Sequence, residues 1–124
     1  MNTNLIHKEL SYKIVGLAMN VHSTLGYGFL EKVYENSLMI LLSKEGIRAE
    51  QQKGIKVIFE NVIVGEYFAD IVINDQILLE LKSVESLVDA HRSQVLNYLK
   101  ATGLKLGILI NFGKTGLEHQ RFVL

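Results

Sequence analysis

A chain of 124 residues suits a single domain, residues 1–124, with room for one real core. Its 48% hydrophobic and 21% charged residues are the composition of a globular protein and exclude a disordered one. Lysine plus arginine (13) balances aspartate plus glutamate (13), which excludes a strongly basic nucleic-acid binder; the lack of cysteine excludes disulfides, thiolate zinc sites and cysteine nucleophiles.

The opening residues, MNTNLIHKEL, are polar and charged, unlike a signal peptide. No apolar run approaches the roughly 20 residues that a membrane span needs, so a cytoplasmic protein without a membrane segment is expected. From Leu5 to Leu25 the residues Ile6, Leu10, Ile14, Leu17, Val21 and Leu25 recur at three- and four-residue spacing and predict an amphipathic helix. Within it His22 reads as a partly buried or capping histidine. Gly26-Tyr27-Gly28 breaks the helix. A second helix follows from Leu30 to Lys44, with Leu30, Val33, Leu38, Leu41 and Leu42 on its core-facing stripe and Glu31 and Tyr34 sharing a face. On spacing alone Glu31 is a first-turn acid that complements the helix dipole. Gly46 ends this helix, and Ile47 to Gly54 reads as polar connecting chain.

Ile55 to Phe59 alternates and is rich in β-branched residues; Asn61 marks a turn; Val62 to Ile73 is the next strand, with Gly65 suggesting a bulge. Ile77 to Val84 completes a meander of three. Asp70, Glu80 and Lys82 lie inside these apolar runs, where an uncompensated charge is costly. By strand alternation Glu80 and Lys82 point one way, and Leu79, Leu81 and Ser83 the other. Asp70 shares the face of Glu80 if the two lie opposite each other, which requires a three-residue connection, Asn74-Asp75-Gln76, of residue types that tolerate the left-handed conformation. A helix over Leu87 to Thr102 then offers Val88, Val95, Leu96 and Leu99 to the core. His91, Gln94 and Tyr98 form one row on its polar side, and solvated surface accounts for His91 as well as function does. Lys105 to Asn111 fits a buried strand, reached by a right-handed crossover. His119 to Leu124 adds a final edge strand, and Phe122-Val123-Leu124 is a candidate for strand addition in a homodimer.

Acids on a helix and on two adjacent strands, Glu31, Asp70 and Glu80, with Lys82 beside one of them, suit an oxygen-ligand site for a hard divalent cation, Mg²⁺ or Mn²⁺. Phosphodiester hydrolysis is the chemistry such parts serve. A buried Glu80–Lys82 ion pair explains them less well, since residues two apart on a strand pair only loosely and Asp70 is left unexplained. The αβββαβ order, Asp70 and the Glu80-Leu81-Lys82 triplet resemble the PD-(D/E)XK nuclease superfamily. Gly28-Phe29-Leu30-Glu31-Lys32-Val33-Tyr34 matches G-x-x-E-x-x-Y, so the chain is similar to the small GxxExxY family within it. That resemblance implies an α/β (α+β) restriction-endonuclease-like core with a mixed central sheet flanked by helices, and a metal-dependent nuclease that acts on DNA. It also implies roles: Glu31 as the helix acid, Asp70 and Glu80 as metal ligands, Lys82 as the catalytic lysine, Gln94 lining the site, and Tyr34, Tyr98 and His91 in support. Ala69 departs from the superfamily's proline before the aspartate, a change in backbone shape and not in chemistry. The competing expectation is a nuclease-fold binding or assembly module without turnover, consistent with the even charge balance.

Overall fold

In the computed structural model, which describes residues 6–124, the first periodic segment forms α1 (Lys8–Leu25). The expected helix start at Leu5 lies outside the described residues. Ile14, Ala18 and Val21 are buried along it at the predicted spacing, and Gly26 stops it in a positive-φ conformation (74°). The second helix, α2 (Glu31–Lys44), buries Leu38 and Leu42 as expected, but Leu30 is 81% exposed and Val33 is exposed as well. Tyr34 and Glu35 take the inward positions instead. The helix begins one residue later than the spacing suggested, with Leu30 as an extended N-cap, and the Tyr34 hydroxyl satisfies itself inside the fold by donating to Gly26 O (2.6 Å). A residue with an apolar body and a satisfied polar tip can occupy the core where leucine was expected.

Five strands follow, interrupted by one helix: β1 (Ala49–Phe59), β2 (Val62–Ile73), β3 (Ile77–Lys82), α3 (Asp89–Thr102), β4 (Leu106–Phe112) and β5 (Leu117–Val123). They form one mixed sheet in the order β1-β2-β3-β4-β5, with β3 and β4 parallel and the other pairs antiparallel. Ala49 to Gly54, expected as connecting chain, is strand. Its pairing from Ala49 opposite Ile73 to Gly54 opposite Phe68 shows why composition misled: an edge strand held by a backbone ladder needs few apolar residues. Glu60 and Asn61 close the β1–β2 hairpin with positive φ at both positions (51° and 62°), the arrangement of a two-residue I′ turn. The expected bulge is present beside Gly65, where Val57 faces Gly65 but Ile58 faces Ile63 and Val64 is left over. Between β2 and β3, Ile73 faces Ile77 across Asn74-Asp75-Gln76, with Asn74 and Asp75 in the left-handed region (φ 54° and 53°).

The sheet has a core on each face. Ile71, Ile73, Leu79, Leu81, Ile108 and Ile110 pack with α1 and α2, while Ile55, Val72, Leu78 and Leu109 pack with α3. Alternation along β3 therefore turns Glu80 and Lys82 toward α3, with Leu78. On α3, Val95 and Leu99 are buried, but Val88 is an exposed N-cap and Tyr98, placed by spacing on the polar row, is buried. Phe122 and Val123 pair with β4 of the same chain, so only the outer edge of β5 is left for another strand. Among the described residues no helix is long and apolar enough to cross a membrane.

Candidate active site

The β2–β3 ladder ends at Ile71 opposite Leu79. One step further along the same register Asp70 meets Glu80, and two carboxylates replace the missing ladder bonds. The Asp70 N–H donates to Glu80 Oε2 (2.8 Å), and the Leu81 N–H donates to Asp70 Oδ2 (2.8 Å). Each acid thus holds the backbone of the other's strand, which fixes the two side chains against each other where the strands part. Glu80 is 2% exposed and Asp70 half-buried. Burial pushes the Glu80 carboxyl up to about 8; the Asp70 charge adds to that, and Glu31 adds a smaller push. Asp70 is raised as well, mainly by burial, with the Leu81 N–H opposing the shift and the Glu35 charge adding to it.

Lys82 lies two residues beyond Glu80 on the same face. Its Nζ donates to Gln94 Oε1 of α3 (3.0 Å), and Gln94 Nε2 donates to Tyr98 Oη (3.1 Å). The amide of Gln94 is thereby fixed at both ends, and it holds the lysine ammonium on the α3 side of the sheet. Its positive charge draws both carboxyls down, against the larger effect of burial. Glu31 is exposed at the first position of α2 and acts on Glu80 only through its field.

An acid that spacing did not single out is tied to Asp70 through a shared partner. Glu35, 3% exposed, accepts hydrogen bonds from Lys32 Nζ (2.9 Å), Gln52 Nε2 (2.9 Å) and Gln51 Nε2, and Gln52 Nε2 also reaches Asp70 Oδ1 (3.4 Å). Gln52 links the two acids from inside β1, where its backbone adopts a positive φ of 53°. The signal was available in the sequence: Glu35, Leu38 and Leu42 share one helical row, so an acid stands on the apolar stripe, the same conflict that marks Asp70 and Glu80.

Tyr34 and His91 stand apart from this cluster. Tyr34 is wholly buried; its hydroxyl donates to Gly26 O and accepts the Phe29 N–H (3.3 Å), and its ring stacks on Phe112 (4.3 Å between centroids). It pins the Gly26–Phe29 turn that presents Glu31, and so shapes the site from behind. His91 accepts the Val88 N–H at Nδ1 (3.1 Å) and caps its own helix. His22 is half-buried, as expected, with Nε2 donating to Gly113 O (2.8 Å). Beyond Lys82 the chain is clamped from both sides: Ser83 Oγ donates to Phe29 O (2.9 Å), and buried Asn111 exchanges two 2.9 Å bonds with the Val84 backbone.

Among the described residues no group of three or more histidine, aspartate or glutamate side chains is gathered closely enough to hold a metal ion. Glu31, at the exposed first position of α2, acts on Glu80 through its charge and makes no hydrogen bond with either acid among the described residues. The pair itself fits a hard cation. It is anionic, offers only oxygen, and Glu80 Oε1 accepts no hydrogen bond from the described residues. Magnesium sites of this kind use one or two carboxylates and complete the shell with water and substrate phosphate, so a third protein acid is not required.

A family model described as the PD-(D/E)XK nuclease superfamily matches residues 8–122, nearly the whole chain. No curated protein sequence matches. Among solved structures the chain is similar to the crystal structure of SSO0001, with a TM-score of 0.59 and 18% identity over 75% of this chain. That likeness concerns the fold, and it spans only 50% of the other chain's length.

Proposed function

Since this chain belongs to the PD-(D/E)XK nuclease superfamily, we propose that it is a metal-dependent nuclease of the GxxExxY type that hydrolyses phosphodiester bonds in DNA. The observation that carries this reading is the reciprocal clasp of Asp70 and Glu80 next to a lysine tethered by Gln94. A buried and a half-buried acid kept together with raised pKa values are a poor stabilising device but a ready cation site. Mg²⁺ or Mn²⁺ held by Asp70 and Glu80 would polarise the scissile phosphate and supply water of lowered pKa. Lys82, held toward α3 by Gln94, is placed to donate to a phosphate oxygen as negative charge builds on it. Glu31, whose charge reaches Glu80, would orient incoming water or complete the cation's shell.

The test is cleavage of single- and double-stranded DNA with Mg²⁺ and with Mn²⁺, beside Lys82→Ala. The expected result is cleavage by the wild type and a loss of roughly 10²- to 10³-fold in the variant, the effect of removing one transition-state donor. Cleavage that survives the substitution unchanged would defeat this reading. No cleavage under any of these conditions would favour the alternative, a catalytically silent binding or assembly module.

A further inference from the structure

Beside the acid pair, a groove of about 820 Å³ runs between the β1–β2 hairpin and α3. Its lining includes Ile58 and Tyr67 from the hairpin and Asn97 and Tyr98 from the helix, with Lys56 and Lys100, one on each side. Gln94, the residue that tethers Lys82, lines it too, so the groove and the candidate site share that side chain. The two tyrosine rings lie 5.6 Å apart and tilted by 43°. Tyr98 is buried, with its hydroxyl held by Gln94, whereas Tyr67 is 50% exposed and leaves a ring face to solvent. Both lysines are exposed, and neither forms an ion pair within the described residues.

We infer that this groove binds an unpaired strand of DNA, with a base against Tyr67, which Tyr98 backs, and the phosphates between Lys56 and Lys100. A duplex keeps its bases stacked inside and offers a protein mainly phosphate, for which a chain of zero net charge has little long-range attraction. An exposed aromatic ring flanked by two cations serves bases that have left the stack, because every base has a π face to lay on a ring. The inference rests on the nuclease reading for its occupant, since the groove shares Gln94 with the candidate site. It adds the substrate class: single strands, overhangs or frayed ends in preference to intact duplex.

The experiment is binding, measured in chelator so that hydrolysis plays no part. The anisotropy of a short labelled DNA oligonucleotide, single-stranded and as a duplex, and of its RNA counterpart, is followed across salt concentrations. The single strand should bind more tightly than the duplex. Tyr67→Ala should weaken it about tenfold without changing the salt dependence. Lys56→Ala with Lys100→Ala should instead lower the slope of log affinity against log salt by about 1.4. Tyr67→Leu keeps apolar bulk at the hairpin and should show the same weakening if the alanine variant fails to fold. Duplex bound as tightly as single strand, RNA bound more tightly than DNA, no oligonucleotide binding, or variants indistinguishable from wild type would each overturn the inference. So would sedimentation that shows a wild-type dimer broken by Tyr67→Ala with oligonucleotide binding unaffected, since a second copy would then be the occupant. Binding by a protein that never cuts keeps the groove and removes the nuclease; Lys82-dependent cutting by a protein that prefers duplex does the reverse.

Discussion

Glu80 is the residue on which stability and chemistry meet. Its carboxyl is raised from the usual 4.5 to about 8 in the folded protein, so between those values the native state binds more protons than the unfolded one. Stability from this group is fully present below about pH 4.5 and is lost as pH rises toward 8. Glu80→Gln keeps an oxygen for the Asp70 N–H and removes the titration. Without metal, the variant should match the wild type near pH 4.5 and exceed it by about 2–4 kcal/mol above pH 8, in denaturant melts across that range. A gap that stays constant with pH would mean that the carboxyl ionises in the folded state as it does in water. Tyr34 makes a different kind of contribution. Tyr34→Phe leaves Gly26 O without its donor and should cost about 1–3 kcal/mol, read as a lower melting temperature, with the stack on Phe112 preserved.

Between elements, α3 packs closely on β4 at Gly107. Gly107 has no side chain because a Cβ there would come within 2.5 Å of Val95 Cγ1 and 3.3 Å of Leu99 Cδ1. Gly107→Ala should force the helix outward at a cost of about 1–3 kcal/mol. Because α3 carries Gln94, the tether on Lys82 should lengthen too, and cleavage should fall further than the melting temperature predicts. The elements themselves were legible wherever burial left a period: α1, β2, β3, α3 and β4 lie close to where their apolar residues indicate. What the sequence concealed was structure held by backbone pairing or by polar partners. The polar start of β1 shows no alternation of apolar residues, because its ladder to β2 and not burial keeps it extended. Tyr34 and Glu35 displaced Leu30 and Val33 from the core for a reason visible only in three dimensions: each polar group finds partners on another segment. In the site, parity along β3 and the length of one loop were enough to set Asp70 against Glu80. They could not show how Glu31 is presented to that pair, since that depends on how α2 lies against the sheet.

For the whole molecule, a cation on the clasped acids would couple folding to ligand. A cation that binds only the native state should stabilise it by about 2.7 kcal/mol at a hundred times its dissociation constant. Thermal melts across millimolar Mn²⁺ or Mg²⁺ at constant ionic strength should therefore shift upward for the wild type. Asp70→Asn should start higher without metal and respond less, and a wild-type curve that never moves would remove the cation from the picture. The connection Asn74-Asp75-Gln76 carries a consequence of another order. It contributes no atom to the acid pair, yet its length belongs to the register that sets Asp70 against Glu80. If the loss of one residue there were taken up by a one-residue slip of the ladder and not by a shorter turn, the strand would turn over, presenting Leu79 and Leu81 to α3 and Glu80 and Lys82 to the apolar core beneath α1 and α2. A chain so slipped would still spell every residue of the site and would assemble none of it. Part of the chemistry is thus encoded as a distance along the chain, which can be lost without changing the identity of any residue that performs it.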